Sequence, residues 1–303
     1  MLDTLSLQKK GALFAILATF VWSFNFIVGR GLADSIPPCV LASGRWLVAF
    51  LAVLPFAWRD IVRDYRHFLD NWRYYFVLSI LGVTYFNTAI YAAAKSVPAL
   101  NLSLIATSSP LFTVLLARIV FGEAITLSRL AGIGAAFCGI VLLITRGDLA
   151  VLTGLSFNGG DLLMLSAAFS FSLYTLLVRK KPSGCSTLSY LTVTFGLGLV
   201  MLLPFSAWEL SVTDLPSFTP ALAGAFLYMG VGASLFSFWC WARAIEAIGP
   251  SKAAIIYYSL PFFCGIEAVV FLGEPVLWVH FVGGGLILGG LALATRDNKS
   301  VRP

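Results

Sequence analysis

The sequence predicts an all-α integral membrane protein of ten transmembrane helices, built as two inverted five-helix repeats with both termini cytoplasmic. Three observations predict it. The 303 residues are 59% hydrophobic and only 11% charged, where soluble domains average about 45–50% and about a quarter. Long apolar runs follow one another along the whole chain, and the mean hydropathy is +0.91. An ordered set of Gly, Pro, Ser and Glu residues recurs half a chain apart.

A spanning helix needs about 20 apolar residues, or roughly 25–35 with its loop. The length therefore accommodates about ten helices and little else, which excludes a large soluble catalytic domain. There is no Gly-Lys dipeptide, so the phosphate loop of ATP-driven pumps is absent. The runs fall near 11–29, 38–58, 74–94, 98–121, 127–145, 160–178, 187–208, 221–242, 251–272 and 276–294; they are spans 1 to 10. Each is continuously apolar, whereas barrel strands alternate at every second residue. The tail Met1–Lys10 leads into span 1 without a small-residue cleavage pattern, so no removable signal is predicted.

Each span is framed by charge. With the N-terminus inside, the cytoplasmic ends hold Lys9 and Lys10 before span 1, then Arg59, Arg63, Arg66 and Arg73 between spans 2 and 3. They also hold Arg118 and Arg129 around the 4–5 turn, and Arg179, Lys180 and Lys181 after span 6. Arg243 and Lys252 flank the 8–9 turn, and Arg296, Lys299 and Arg302 follow span 10. These are 16 of the 20 Lys and Arg. Arg30, Lys95 and Arg146 fall opposite, and Arg45 lies within span 2. Positive charge concentrates on the cytoplasmic side of membrane proteins, so both termini are placed inside the cell and the chain in the cell membrane. The net charge of +6 reports this orientation; nucleic acid is not a predicted partner.

Five cysteines, Cys39, Cys138, Cys185, Cys240 and Cys264, lie scattered, with no Cys-x-x-Cys spacing. Neither a disulfide framework nor a metal site is predicted, and no cofactor.

The repeat is carried by Pro110-Leu-Phe…Gly122-Glu123 and Pro261-Phe-Phe…Gly273-Glu274, offset by 151. At the same offset Ser108 matches Ser259, Gly132 matches Gly283, Gly134 matches Gly285 and Gly139 matches Gly290. Spans 1 and 6 align at 149: Gly11 with Gly160, Phe20 with Phe169, Ser23 with Ser172, Arg30 with Arg179. Each half holds five spans. Five is odd, so the second half enters the membrane from the other side. The halves are taken as residues 1–147 and 156–297. Inverted repeats characterise many secondary transporters, with substrate near the midplane between them.

The chain resembles the drug/metabolite transporter superfamily, specifically its ten-helix EamA-type exporters, and most nearly the aromatic amino acid exporters. The resemblance covers nearly the whole chain. It rests on Phe20-Val-Trp22-Ser23-Phe-Asn25-Phe in span 1, Gly44-Arg45-Trp46-Leu in span 2, and the paired Pro…Gly-Glu segments of spans 4 and 9. It implies a proton-linked or facilitative exporter of amino acids or similar metabolites. Span 8 departs from its mate: Arg243 and Glu246 stand where span 3 has Ala92 and Lys95.

Pro110 and Pro261 interrupt spans 4 and 9 and free the carbonyls of Ala106 and Tyr257. Ser108, Ser109 and Ser259 are placed to satisfy them. The matched positions predict kinks that flex as gates, with static packing as the plainer reading. Trp58, Trp72, Tyr74, Trp208 and Trp278 fall at the interfaces. Trp22, Tyr85, Tyr174, Trp239, Tyr257 and Tyr258 lie deeper, where a polar ring tip needs a partner. They are candidates to line a substrate site, against simple interhelical packing. Asn25, Asn87 and Asn101 can each donate and accept, which suits a zwitterion; bonding between helices is the alternative.

Ionisable groups within spans point to function. Arg45 lies roughly 10 Å deep at 1.5 Å per residue, placed to neutralise a substrate carboxylate, to snorkel, or to brace Glu267. Glu267 in span 9 and His280 in span 10 are candidates for a coupling proton. Glu123 and Glu274 read as structural. The glycines of spans 5 and 10 either pack the halves or form a homo-oligomer interface. A sugar-phosphate or nucleotide-sugar carrier would want more cavity cations than Arg45. A membrane-embedded enzyme finds no acidic pair at matched depth, and only His67 and His280.

Overall fold

The computed structural model describes residues 6–97, 102, 105–145, 147–148, 150, 159–214, 217–272 and 278–295. Among these, every regular element is a helix. α1 (Leu7–Ala33) starts at Ser6, whose hydroxyl accepts from the Lys9 amide. α2 (Pro38–Arg63) and the later α9 (Pro220–Ile248) both open on proline, where a missing N–H costs nothing. The short α3 (Tyr65–Asp70) leads to α4 (Trp72–Ala93). α5 (Ser108–Phe121) ends at Gly122 with φ 68°, a left-handed stop that glycine takes without strain. α6 (Leu127–Thr145), α7 (Gly159–Arg179) and α8 (Thr187–Val212) follow. After α9 come α10 (Pro250–Tyr257), α11 (Leu260–Leu272) and α12 (Trp278–Thr295).

Six of these, α1, α2, α4, α7, α8 and α9, are long and apolar enough to cross a membrane; α5 and the apolar stretches Leu127–Leu142 and Phe281–Ala294 are shorter. Large side chains point outward, with Phe56 76% and Phe281 74% exposed, an outer surface that lipid suits and water does not. The chain is an integral membrane protein that passes the membrane several times.

The expected single helix of span 9 is two. α10 stops at Tyr257, Tyr258 and Ser259 form a turn, and α11 resumes at Leu260. Pro261 is thus the second residue of a helix, and Pro110 is the third residue of α5. Both sit in a first turn, where no backbone bond is lost, so they mark breaks and do not bend a continuous helix. The serines also act one residue earlier than expected: Ser108 donates to the Ile105 carbonyl and Ser259 to the Ile256 carbonyl, both at 2.7 Å.

Contacts between the halves come in reciprocal pairs. A Cβ on Gly132 would strike the Gly290 carbonyl, and a Cβ on Gly139 the Gly283 carbonyl; these two contacts exchange when each residue is replaced by its sequence mate. Phe20 meets Phe263 at 5.4 Å and Phe112 meets Phe169 at 5.5 Å, again mates of one another. The 149 offset continued into spans 2 and 7 pairs Pro55 with Pro204 and Trp46 with Phe195, and two residues touch their own mates: Trp22 meets Phe171 at 5.4 Å, and Trp46 meets Phe195 at 4.8 Å. A residue can reach its own counterpart only at the line about which the halves exchange. The glycines of α6 and α12 that face inward are therefore used within one chain. Gly134, Gly285 and Gly289 meet nothing.

α4 and α9 each contain a π-helical stretch, Ile80–Tyr85 and Tyr228–Phe236. A π-turn leaves a carbonyl poorly paired along its own helix. Donors from elsewhere fill in: Ser170 to Leu81 O at 2.9 Å, Trp46 Nε1 to Val83 O at 3.1 Å, and Trp22 Nε1 to Ala233 O at 2.8 Å.

Candidate functional site

The two π-helical stretches flank a central cleft. α1 supplies Trp22, Asn25 and Phe26; α2 supplies Arg45; α4 supplies Phe86, Asn87 and Ile90; Phe171 of α7 and Tyr257 of α10 complete it. Arg45 is 1% exposed. Its Nε donates to Ser234 Oγ, its Nη1 to Asn87 Oδ1 at 2.8 Å, Tyr91 OH at 3.0 Å and Asn25 Oδ1 at 3.3 Å, and its Nη2 to the Ala233 carbonyl at 2.8 Å. The guanidinium carbon also lies 5.1 Å from the Trp46 ring centre. Every one of these partners is neutral. A buried charge needs such donors and acceptors to survive, yet its net positive charge has no carboxylate against it among the described residues. The brace to Glu267 does not form: Oε1 of Glu267 is instead hydrogen-bonded with Ser23 Oγ at 2.7 Å.

Below Arg45 the rings close over. Phe171 stacks on Phe86 at 4.6 Å, and Trp22 sits edge-on to Phe171 and Phe238. Trp241 lies 5.3 Å from Trp22 and 5.6 Å from Phe171, with Tyr257 against both tryptophans. The free volume in the cleft is about 10 Å³, room for about one water. An amino acid does not fit in that volume.

The two halves differ in chemistry around the cleft. The mates of Asn25, Arg45 and Asn87 are Tyr174, Thr194 and Phe238, all buried. Where the first half is amide and guanidinium, the second is mostly aromatic.

Of the residues singled out in sequence, Trp22, Asn25, Asn87, Tyr257 and Arg45 line the cleft together. Tyr174 lies one layer behind, 5.9 Å from Phe171, its hydroxyl accepting from Tyr190 at 3.4 Å. Three lie elsewhere. Tyr85 is 37% exposed and pairs with Ser166. Trp239 packs edge-on against Phe14 at 5.4 Å, on the opposite face of α9 from Trp241. Tyr258 belongs to a separate core with Val114, Ile140 and Ile287. Pro110 and Pro261 are buried at their helix starts. Asn101 lies outside the described residues; His280 is on α12 and its side chain is likewise outside them.

Phe171, Phe86, Trp241, Tyr91 and Ser234 escape the sequence reading. Phe171 had a usable signal: it is the mate of Trp22 at the 149 offset. Tyr91 and Ser234 had none, because only packing brings them to Arg45.

A multi-span helical bundle with a narrow central cleft lined by Arg45, two amides and a cluster of rings is an architecture that suits a membrane carrier. The chain belongs to the EamA-like transporter family, whose model matches it twice, over residues 9–145 and 158–296, and so to the drug/metabolite transporter superfamily. An uncharacterized transporter of Archaeoglobus fulgidus is 28% identical over 293 residues, covering 95% of this chain and 98% of that one. A Salmonella typhimurium protein named a probable amino-acid metabolite efflux pump is 26% identical, covering 94% of each chain. A crystal structure superposes with a TM-score of 0.75 at 20% identity, over 95% of this chain and 96% of that one, which supports the fold.

Proposed function

We propose that this protein is a secondary transporter that exports small metabolites, amino acids first and aromatic ones foremost, across the cell membrane. Ten spans form two inverted halves with both termini cytoplasmic, and the cleft opens alternately to the two faces. The observation that carries the reading is the cleft itself. Arg45 offers a cation to a carboxylate, Asn25 and Asn87 offer amides to an ammonium, and the Trp22–Phe171 floor offers a face for a side-chain ring. The reciprocal contacts support the paired halves. The relatives named as amino-acid metabolite efflux pumps support the solute class. Among the described residues Arg45 is the single cation lining the cleft, too little charge for a dianionic sugar phosphate.

The test is counterflow. Purified protein in liposomes loaded with unlabelled phenylalanine is expected to accelerate entry of labelled phenylalanine. No acceleration with any amino acid would remove the solute class.

The paired breaks in spans 4 and 9 act as hinges in this scheme, because a helix start that is not tied to the preceding turn can swing. Pro110→Ala and Pro261→Ala are expected to express normally and to slow counterflow, since each permits the break to close into continuous helix. Wild-type rates in both variants would remove the prolines from gating.

A further inference from the structure

The interface between α1 and α11 has a counterpart between α7 and α5, and the two differ by one group. In the counterpart, Ser172 Oγ lies 2.9 Å from the Ser109 carbonyl and 3.1 Å from Ser109 Oγ. At the first interface its mate Ser23 meets Glu267 Oε1 at 2.7 Å. The position matching Glu267 on α5 is Leu116. The same phenylalanine pairs hold both interfaces. This helix pairing thus forms without an acid, and Glu267 is not explained by packing.

Glu267 is 4% exposed, and its Oε2 has no hydrogen-bond partner among the described residues. Hydrogen accounting at Ser23 defines what the carboxyl can do. Ser23 Oγ lies 2.6 Å from the Phe20 carbonyl and 2.7 Å from Glu267 Oε1. A serine hydroxyl carries one hydrogen, and a carbonyl can only accept. With the serine hydrogen on Phe20 O, the contact to Glu267 requires a hydrogen from the carboxyl. With the carboxyl ionised, the serine hydrogen must turn to it and release Phe20 O. The pair therefore has two arrangements that differ by one proton.

We propose that Glu267 is the proton-binding group that couples solute export to the proton gradient, with Ser23 as its switching partner. The proton loads from the outer face when the carrier opens there and leaves to the cytoplasm when it opens inward, so one proton enters as solute exits. The titratable groups that face the site are Tyr228 of α9 and Cys264 of α11, whose thiol donates to the Ser23 carbonyl at 3.6 Å. Among the described residues no cation pairs with Glu267.

This inference rests on the transport reading, and two readouts separate them. Liposomes with an internal pH dye report phenylalanine counterflow and phenylalanine-driven proton movement. Wild type is expected to show both; Glu267→Gln is expected to keep counterflow and lose proton movement, and Glu267→Asp to keep both. Absence of counterflow in wild type counts against the transport reading alone. Counterflow in wild type without proton movement, or proton movement surviving in Glu267→Gln, overturns the coupling role. Infrared difference spectra of the purified protein at two pH values decide the case in which the Gln variant does not fold or no solute is found. A titrating carboxyl stretch in wild type that shifts in Ser23→Ala supports the proposal. A spectrum that Ser23→Ala leaves unchanged overturns it.

Discussion

Replacing Arg45 by alanine is expected to abolish phenylalanine counterflow and to lower stability by about 2–4 kcal/mol, the sum of two stranded acceptors at about 1–3 kcal/mol each, offset by release of a buried charge. The stranded groups are Asn25 Oδ1 and Asn87 Oδ1, which lose their donor. Ala233 O keeps Trp22 Nε1, and Ser234 Oγ still donates to Met229 O, so the loss stays local. Arg45→Lys retains the charge but not the planar fork that reaches α1, α4 and α9 at once. It is expected to recover part of the stability and little of the transport. Thermal melting in detergent checks the first figure and liposome counterflow the second. An alanine variant that melts and transports like wild type would show that Arg45 neither holds the cleft nor meets the solute.

Gly132→Ala and Gly290→Ala are expected to destabilise by similar amounts, about 1–3 kcal/mol each. The added Cβ of either would lie 2.5 Å from the carbonyl oxygen of the other. Backbone cannot turn aside as a side chain can, so α6 and α12 must move apart. Once they have, the second methyl finds room, and the double variant should lose less than the sum. Gly134→Ala and Gly285→Ala are the controls. Their Cβ atoms meet nothing, and alanine favours helix over glycine by about 1 kcal/mol, so they should melt at or above wild type. Melting of all five variants checks the pattern; equal effects at facing and open glycines would mean that the α6–α12 approach does not matter.

The all-helical, multi-span character was legible in the sequence because lipid imposes a crude rule: long apolar runs become helices, and six of them are long enough in the structure to cross. The repeat was legible because Gly, Pro, Ser and Glu are rare enough in apolar sequence for an ordered set to stand out. Interruptions were legible only as prolines. That α10 ends at Tyr257, with two turn residues before Leu260 and Tyr258 packed in the core of Ile140 and Ile287, is not encoded by hydropathy. Within the site, depth was readable and direction was not. Trp239 and Trp241 are two residues apart, which turns a helix by about 200°, so one meets Phe14 and the other packs on Trp22 and Phe171. The π-helical stretches hide for a similar reason. They change which residues of α4 and α9 share a face without changing which residues are apolar. Arg45 was found by its charge alone; its ring of neutral partners comes from three other helices and leaves no mark in sequence spacing.

The unequal halves around the cleft bear on why such a protein does not leak. A chain with guanidinium and amides in both halves would carry a polar seam through the whole thickness of the bilayer. Water would fill it, and ions would follow. The second half lines the cleft with Phe171 and Tyr257, and has Tyr174, Thr194 and Phe238 where the first has Asn25, Arg45 and Asn87, so the charge and the amides stay in one half. In the proposed carrier, duplication would supply two moving halves, and divergence at these three positions would keep them from sharing one polar path.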